Sequence, residues 1–185
     1  MGVEMIYSTK YRDLIKSTCE DLKLPFDWLY IYAQSFAESG REIGNDIFEQ
    51  DRNAKSPVGA IGIMQLMPEN CKYIDPYDPN QNIIRGISLD LDFYNIWKLE
   101  EGIEKIKFMF ASYNAGPEDI LHAQTITGRN AQILTGRSAL ATNIWDNVAS
   151  YLHYVTGYQN AQQTINYVKR ILNIYAELKG LENDK

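Results

Sequence analysis

Basic charge is in short supply: 18 Lys+Arg stand against 24 Asp+Glu, a formal net charge of −6. The resulting pI near 5.0 has the wrong sign for a protein that lives on nucleic acid or on an anionic membrane surface. Cysteine and histidine are scarcer still. Cys19 and Cys71 cannot build a disulfide framework, and with His122 and His153 alone no zinc set forms at ligand spacing. Two free thiols are expected, one buried bridge being the alternative, and neither metal nor cofactor is called for. No apolar run approaches the ~18 residues of a membrane span, so stable membrane insertion is not expected. Met1–Tyr7 carries Glu4 and no basic region, so no signal peptide is read. Twelve glycines and six prolines, with no biased tract, exclude collagen-like and low-complexity chains.

What is present suits a globular domain. Of 185 residues, 45% are hydrophobic, enough for a real core, and the length predicts a single domain over 1–185. Hydrophobic spacing is helical almost throughout, and no alternating β-branched run is long enough to seed a large sheet. The fold class is therefore mainly α. A first helix is expected over Ser8–Leu22, with Leu14, Ile15, Thr18, Cys19 and Leu22 inward. A second should start with Pro25 at its first position and run to Ser39, with Gly40 as a left-handed cap. Residues 40–56 read as irregular, and Ile61–Met67 as partly extended. Asn80 or Asn82 is expected to cap the helix carrying Ile83, Ile87, Leu91 and Trp97. A helix over Gly102–Tyr113 closes at Gly116-Pro117. A connector is expected around Thr125–Arg137, then helices at Ser138–Val155 and Ala161–Leu178 and a frayed tail from Gly180.

Four fragments could carry chemistry. Glu38 stands in the last turn of its helix, within ~20° of Ile31 on the helix face, so its carboxyl should be partly buried. Burial and the negative end of the helix dipole both favour the protonated acid, as a general acid requires; taken alone, an exposed Glu at a frayed helix end is the plainer reading of this residue. In Ile63–Met67, an extended backbone would point Gln65 and Met67 to one side, an amide beside a thioether, suited to a cleft wall for sugars or amides. Core packing is the plainer reading of that stretch. Ser112–Pro117 brings Tyr113 and Asn114 to a helix C-terminus, where either could face a ligand or serve packing and capping. Thr164–Ile171 is an amphipathic helix carrying Tyr167.

In order and spacing these fragments resemble the catalytic domain of soluble lytic transglycosylases, the family 23 glycoside hydrolases related to goose-type lysozyme, from about Pro25 to Ile174. Glu38-Ser39 matches the family's Glu-Ser pair. Ser56–Pro68 matches Ser-Pro-x-Gly-Ala-x-Gly-[Leu/Ile]-Met-Gln-x-Met-Pro. Asp78–Gly86 matches Asp-Pro-x-x-Asn-Ile-x-x-Gly, Ser112–Pro117 matches Ala-Tyr-Asn-Ala-Gly-Pro, and Gln163–Val168 matches Glu-Thr-x-x-Tyr-Val with Gln163 in place of the acid. Pro117–Gln162 has no placed counterpart.

The resemblance implies a lysozyme-like fold with a very small or vestigial β element and a catalytic Glu at the end of a central helix. It further implies cleavage of the β-1,4 MurNAc-GlcNAc bond of peptidoglycan, with a 1,6-anhydro-MurNAc product. Glu38 would be the sole acid/base, Tyr167 would bond near it, and Ser39, Gln65, Met67, Tyr113 and Asn114 would line the glycan subsites. Hydrolysis, as in goose-type lysozymes, needs a second acid, for which Glu42, Asp46, Glu49 and Asp51 are candidates. A non-catalytic glycan-binding or virion module is the reading from another class. Without a leader or anchor in view, the expected setting is a bacteriophage, with a truncated bacterial enzyme expressed without its leader as the alternative. The protein would be made in the bacterial cytoplasm and act on the wall, as an endolysin released through a holin or as a lysin carried in the virion.

Overall fold

The computed structural model describes residues 6–135 and 142–183. In chain order they form β1 (Ile6–Tyr7), α1 (Arg12–Asp21), α2 (Leu29–Ser39), β2 (Gly40–Glu42), β3 (Ile47–Gln50), a 3-10 turn (Pro68–Cys71), α3 (Pro79–Ile96), α4 (Gly102–Ala115), α5 (Pro117–Thr135), α6 (Trp145–Tyr151), α7 (His153–Thr156) and α8 (Tyr158–Asn183). The fold is mainly helical with one small sheet. Its strand order is β1-β3-β2, with β1 parallel and β2 antiparallel to β3.

Two compact units divide the chain. The first gathers Met1–Ser88 and Arg170–Lys185, and is built around α2. A helix apolar on every side must be buried on every side, and α2 buries Leu29, Ile31, Tyr32, Ala33, Gln34, Ser35, Phe36 and Ser39. Phe36 is surrounded by the rings of Tyr7, Tyr32 and Phe48 at 4.9, 5.0 and 5.7 Å. The second unit, Leu89–Lys169, packs Trp97, Phe108 and Trp145, with ring separations of 4.8 and 5.7 Å. The Trp97 indole N–H donates to the Ser112 hydroxyl at 3.0 Å, satisfying a polar atom that burial would otherwise strand.

Several local expectations are corrected. The second helix begins at Leu29, not Pro25, because Asp27 supplies the cap: its Oδ1 accepts the Leu29 N–H at 3.1 Å. Gly40 is not a left-handed cap but extended, at φ −67° and ψ 134°. Glycine is needed there for room, since a Cβ would lie 2.4 Å from the Phe36 carbonyl and 2.5 Å from the Phe48 ring. At α3 the cap is Asp78, whose Oδ1 accepts the Gln81 N–H at 2.9 Å, with Pro79 at the first position. The predicted connector over 125–137 is helical to Thr135, as the later turns of α5, and its last two residues lie outside the described set. The helix expected over 138–155 is present as α6 and α7, residues 138–141 lying outside the described set. The tail is helical to Asn183.

Candidate active site

Glu38 occupies the penultimate position of α2 and is half-buried. The chain passes without a break from α2 into β2, and four hydrogen bonds hold that junction. The Ser39 carbonyl accepts the Asp51 N–H at 3.0 Å. Its hydroxyl, itself buried, donates to the Ile63 carbonyl at 2.9 Å. One turn earlier, buried Gln50 donates through Nε2 to the Ser35 hydroxyl at 2.9 Å, and Ser35 donates to the Tyr32 carbonyl at 2.7 Å. Ser39 therefore ties the end of α2 to the segment that carries Gln65.

That segment is not extended, which corrects the alternating reading of Ile63–Met67. It is a tight turn: Ile61 and Leu66 exchange both main-chain hydrogen bonds at 2.9 Å, and Ile63, Met64 and Leu66 are all buried. Gly62 has φ +82° and Gln65 φ +46°. The Gln65 side chain donates through Nε2 to the carbonyls of Gly62 and Ala54, at 2.9 and 3.2 Å. Met67 follows, half-buried, at the start of the 3-10 turn.

The residue that holds this turn in place is Asn82, one of the two asparagines expected from sequence as a helix cap. It is fully buried. Its Oδ1 accepts the Met64 N–H at 2.8 Å, and its Nδ2 donates to the carbonyls of Ile61 and Pro76 at 3.0 and 2.9 Å. Gly62 lies against it, since a Cβ there would come within 2.3 Å of Asn82 Nδ2. Its place after Pro79 was visible in sequence, but partners 6 to 21 residues away were not.

The four acids that follow Glu38 have distinct environments. Glu49 is paired with Lys10 at 3.0 Å and accepts the Ser8 hydroxyl at 3.2 Å. Asp51 meets Arg41 at 3.3 Å and accepts the Asn53 N–H at 2.9 Å. Glu42 and Asp46 are exposed.

Glu38, Ser39, Gln65 and Met67 belong to the first unit; Tyr113, Asn114 and Tyr167 belong to the second. In the second unit, half-buried Tyr113 meets Phe93 edge to face at 6.2 Å. The Asn114 Oδ1 accepts the buried Thr164 hydroxyl at 2.8 Å, joining the end of α4 to α8. Tyr167, one turn further along α8 than Thr164, is buried.

Residues 49–135 match the family described as the transglycosylase SLT domain. The matched segment contains Gln65, Met67, Asn82, Tyr113 and Asn114, with Glu38 before it and Tyr167 after. Similar curated proteins are the membrane-bound lytic murein transglycosylases F of Maricaulis maris and Aliivibrio fischeri. The first is 27% identical over 176 residues, covering 88% of this chain and 34% of the relative. The second is 27% identical over 190 residues, covering 95% and 34%. The chain thus spans about a third of the length of these relatives.

Among solved structures, the 70 kDa soluble lytic transglycosylase SLT70 of Escherichia coli superposes with a TM-score of 0.64 at 24% identity, over 95% of this chain and 25% of that one. The lytic transglycosylase Slt of Pseudomonas aeruginosa, solved as an inactive glutamate-to-glutamine mutant, gives 0.60 at 20%, over 93% and 25%. The chain thus shares the mainly helical, lysozyme-like fold of these structures. Among the described residues no group of three His, Cys, Asp or Glu could hold a metal ion, and no helix is long and apolar enough to cross a membrane.

Proposed function

We propose that this chain, taken over 1–185 as one catalytic domain, is a peptidoglycan lytic transglycosylase with Glu38 as its single acid/base. The observation that carries the reading is a half-buried carboxyl at the end of a buried helix, in a chain whose residues 49–135 match the transglycosylase SLT domain. The inactive glutamate-to-glutamine Slt of P. aeruginosa supports a catalytic glutamate here.

Most glycosidases use two carboxylates. One suffices when the substrate supplies the other nucleophiles. Protonated Glu38 gives its proton to the glycosidic oxygen as the C1–O bond of MurNAc breaks, and the GlcNAc 4-hydroxyl leaves. The 2-acetamido oxygen supports the positive charge at C1. Glu38, now a carboxylate, takes the proton of the muramic C6 hydroxyl as O6 bonds to C1. The ring closes to 1,6-anhydro-MurNAc, no water is consumed, and Glu38 ends as it began.

In this reading Ser39, Gln65, Met67, Tyr113 and Asn114 line the glycan subsites. Tyr167 acts by hydrogen-bonding near the acid. The second reading, hydrolysis, needs another carboxylate to orient water. Two of the four candidates are held in ion pairs and the other two face solvent, which supports transglycosylation.

Mass spectrometry of digested peptidoglycan separates the outcomes. Muropeptides one water lighter, with anhydro ends, are expected. Reducing ends would establish a lysozyme instead, and no cleavage a glycan-binding module.

For setting, the sequence reading of a phage lysin, released through a holin or carried in a virion, has only that reading behind it. The bacterial relatives, named as membrane-bound enzymes, support a role in the wall of the producing cell. Expression with and without a co-expressed holin tests this: lysis only with the holin favours the phage setting.

A further inference from the structure

An acid at the end of a helix stands where the helix holds its backbone least firmly, since the final carbonyls lack intrahelical partners and the last turn frays. General-acid chemistry tolerates little of that freedom: a misplacement of about 1 Å can cost about 10²-fold in rate. Groups outside α2 must therefore hold the turn that carries Glu38. Ser39 provides one anchor. Gln50, the last residue of β3, reaches the same turn at two further points.

In strand register Gln50 lies opposite Gly40, two residues beyond Glu38. Its side chain crosses to the other end of the turn, where Nε2 donates to the Ser35 hydroxyl at 2.9 Å. That hydroxyl donates in turn to the Tyr32 carbonyl at 2.7 Å, and the Ser35 carbonyl accepts the Ser39 hydroxyl at 3.2 Å. Ser35 and Glu38 are three apart in α2, so they are neighbours on the helix surface. We propose that Gln50 is a positioning residue for Glu38: it clamps the turn from both ends and so fixes where the proton of the acid is delivered. The proposal rests on reading Glu38 as the acid/base.

The kind of residue found at this position supports a role beyond packing. Phe48 and Gln50 share the face of β3 turned towards α2. Phe48 stacks on Phe36 at 5.7 Å, the apolar contact that such a face ordinarily makes. Gln50 instead buries an amide, only 1% exposed, whose Oε1 meets no donor among the described residues. A buried acceptor without a donor weakens a fold, and an apolar side chain of similar shape would avoid the loss. Stability is given up here for one directed bond, the one to Ser35.

The test uses the full chain. Gln50→Met keeps the unbranched shape and deletes both the donor and the unmet acceptor. Its melting temperature should equal or exceed that of the parent. On soluble, uncross-linked peptidoglycan strands, with new chain ends counted by mass spectrometry, kcat should fall at least about tenfold with KM unchanged, part of what a 1 Å displacement costs. Ser35→Ala removes the acceptor of the same bond and should lower kcat by a similar factor. Added to Gln50→Met it should cost little more, because the two residues act through one bond. A purely structural role would not let stability hold while the rate falls.

A Gln50→Met chain as fast as the parent overturns the proposal and leaves the enzyme reading intact. So does a lower melting temperature with kcat lost only in step with the unfolded fraction, and so do effects of Gln50→Met and Ser35→Ala that simply add. A parent chain that releases no new ends overturns the enzyme reading, and this proposal with it.

Discussion

Glu38 stands where a helix terminus disfavours negative charge, and its neighbour Ser39 is anchored to the Ile63 carbonyl, so the acid sits at a fixed point of the fold. Glu38→Gln keeps the shape and removes the proton. Cleavage of cell-wall suspensions should fall by at least about 10²–10⁴, the usual share of general acid/base catalysis, with glycan binding retained. Turbidity clearing and a pull-down on insoluble peptidoglycan read the two separately. Asn82 is the other residue on which the site depends. Asn82→Ala would leave the Met64 N–H and the Pro76 carbonyl without this partner, while the Ile61 carbonyl keeps the Leu66 N–H. Unmet buried groups cost about 1–3 kcal/mol each, and partial repair by water should leave a loss of about 2–4 kcal/mol in urea unfolding. Activity should fall further than unfolding alone explains, because the Gln65 turn rests on this side chain.

At the scale of elements, the C-terminal helix is fastened to the start of α2 through Asp27. Its Oδ2 receives Lys179 Nζ at 2.8 Å and the Tyr175 hydroxyl at 3.2 Å, while Tyr175 stacks on Tyr30 at 3.8 Å. Burial pushes the Asp27 carboxyl up, but the bonds from Lys179, the Leu29 N–H and Tyr175 outweigh it, and the group lies below the ordinary carboxylate range. A depressed carboxyl stabilises the fold above its unfolded value of about 3.9, and that contribution disappears as pH falls through the folded value. Asp27→Asn should therefore lower stability at pH 7 by up to about 1 kcal/mol, as for partly exposed pairs. The difference from the parent should close as the pH drops below about 4. Thermal melts across that range check the sign. Nearby Tyr32 is buried against the Ser8 carbonyl at 2.5 Å, and burial pushes its hydroxyl up to about 12, so it stays protonated throughout.

Across the whole molecule, Cys19 and Cys71 are in no disulfide, so dithiothreitol should leave the melting temperature unchanged and two thiols should titrate after unfolding. A reductant-sensitive melt would reveal a bridge. Helices were legible because their apolar spacing repeats locally: the buried stripe Ile15, Thr18 and Cys19 of α1 and the end of α2 at Ser39 could be read directly. Gly40, Gln65 and Asn82 were misread for a common reason, since each answers to partners outside its own segment: the Phe48 ring, the Ala54 carbonyl and the Met64 N–H. The candidate acid was visible as a carboxylate at a helix end, and Tyr113 and Asn114 as polar groups before Gly116-Pro117. Order and spacing along the chain thus determined the helices, the helical character of the fold and the acid at the end of α2. Only tertiary structure decided which polar side chains support backbone groups of distant segments, because that depends on the distances between atoms far apart in sequence.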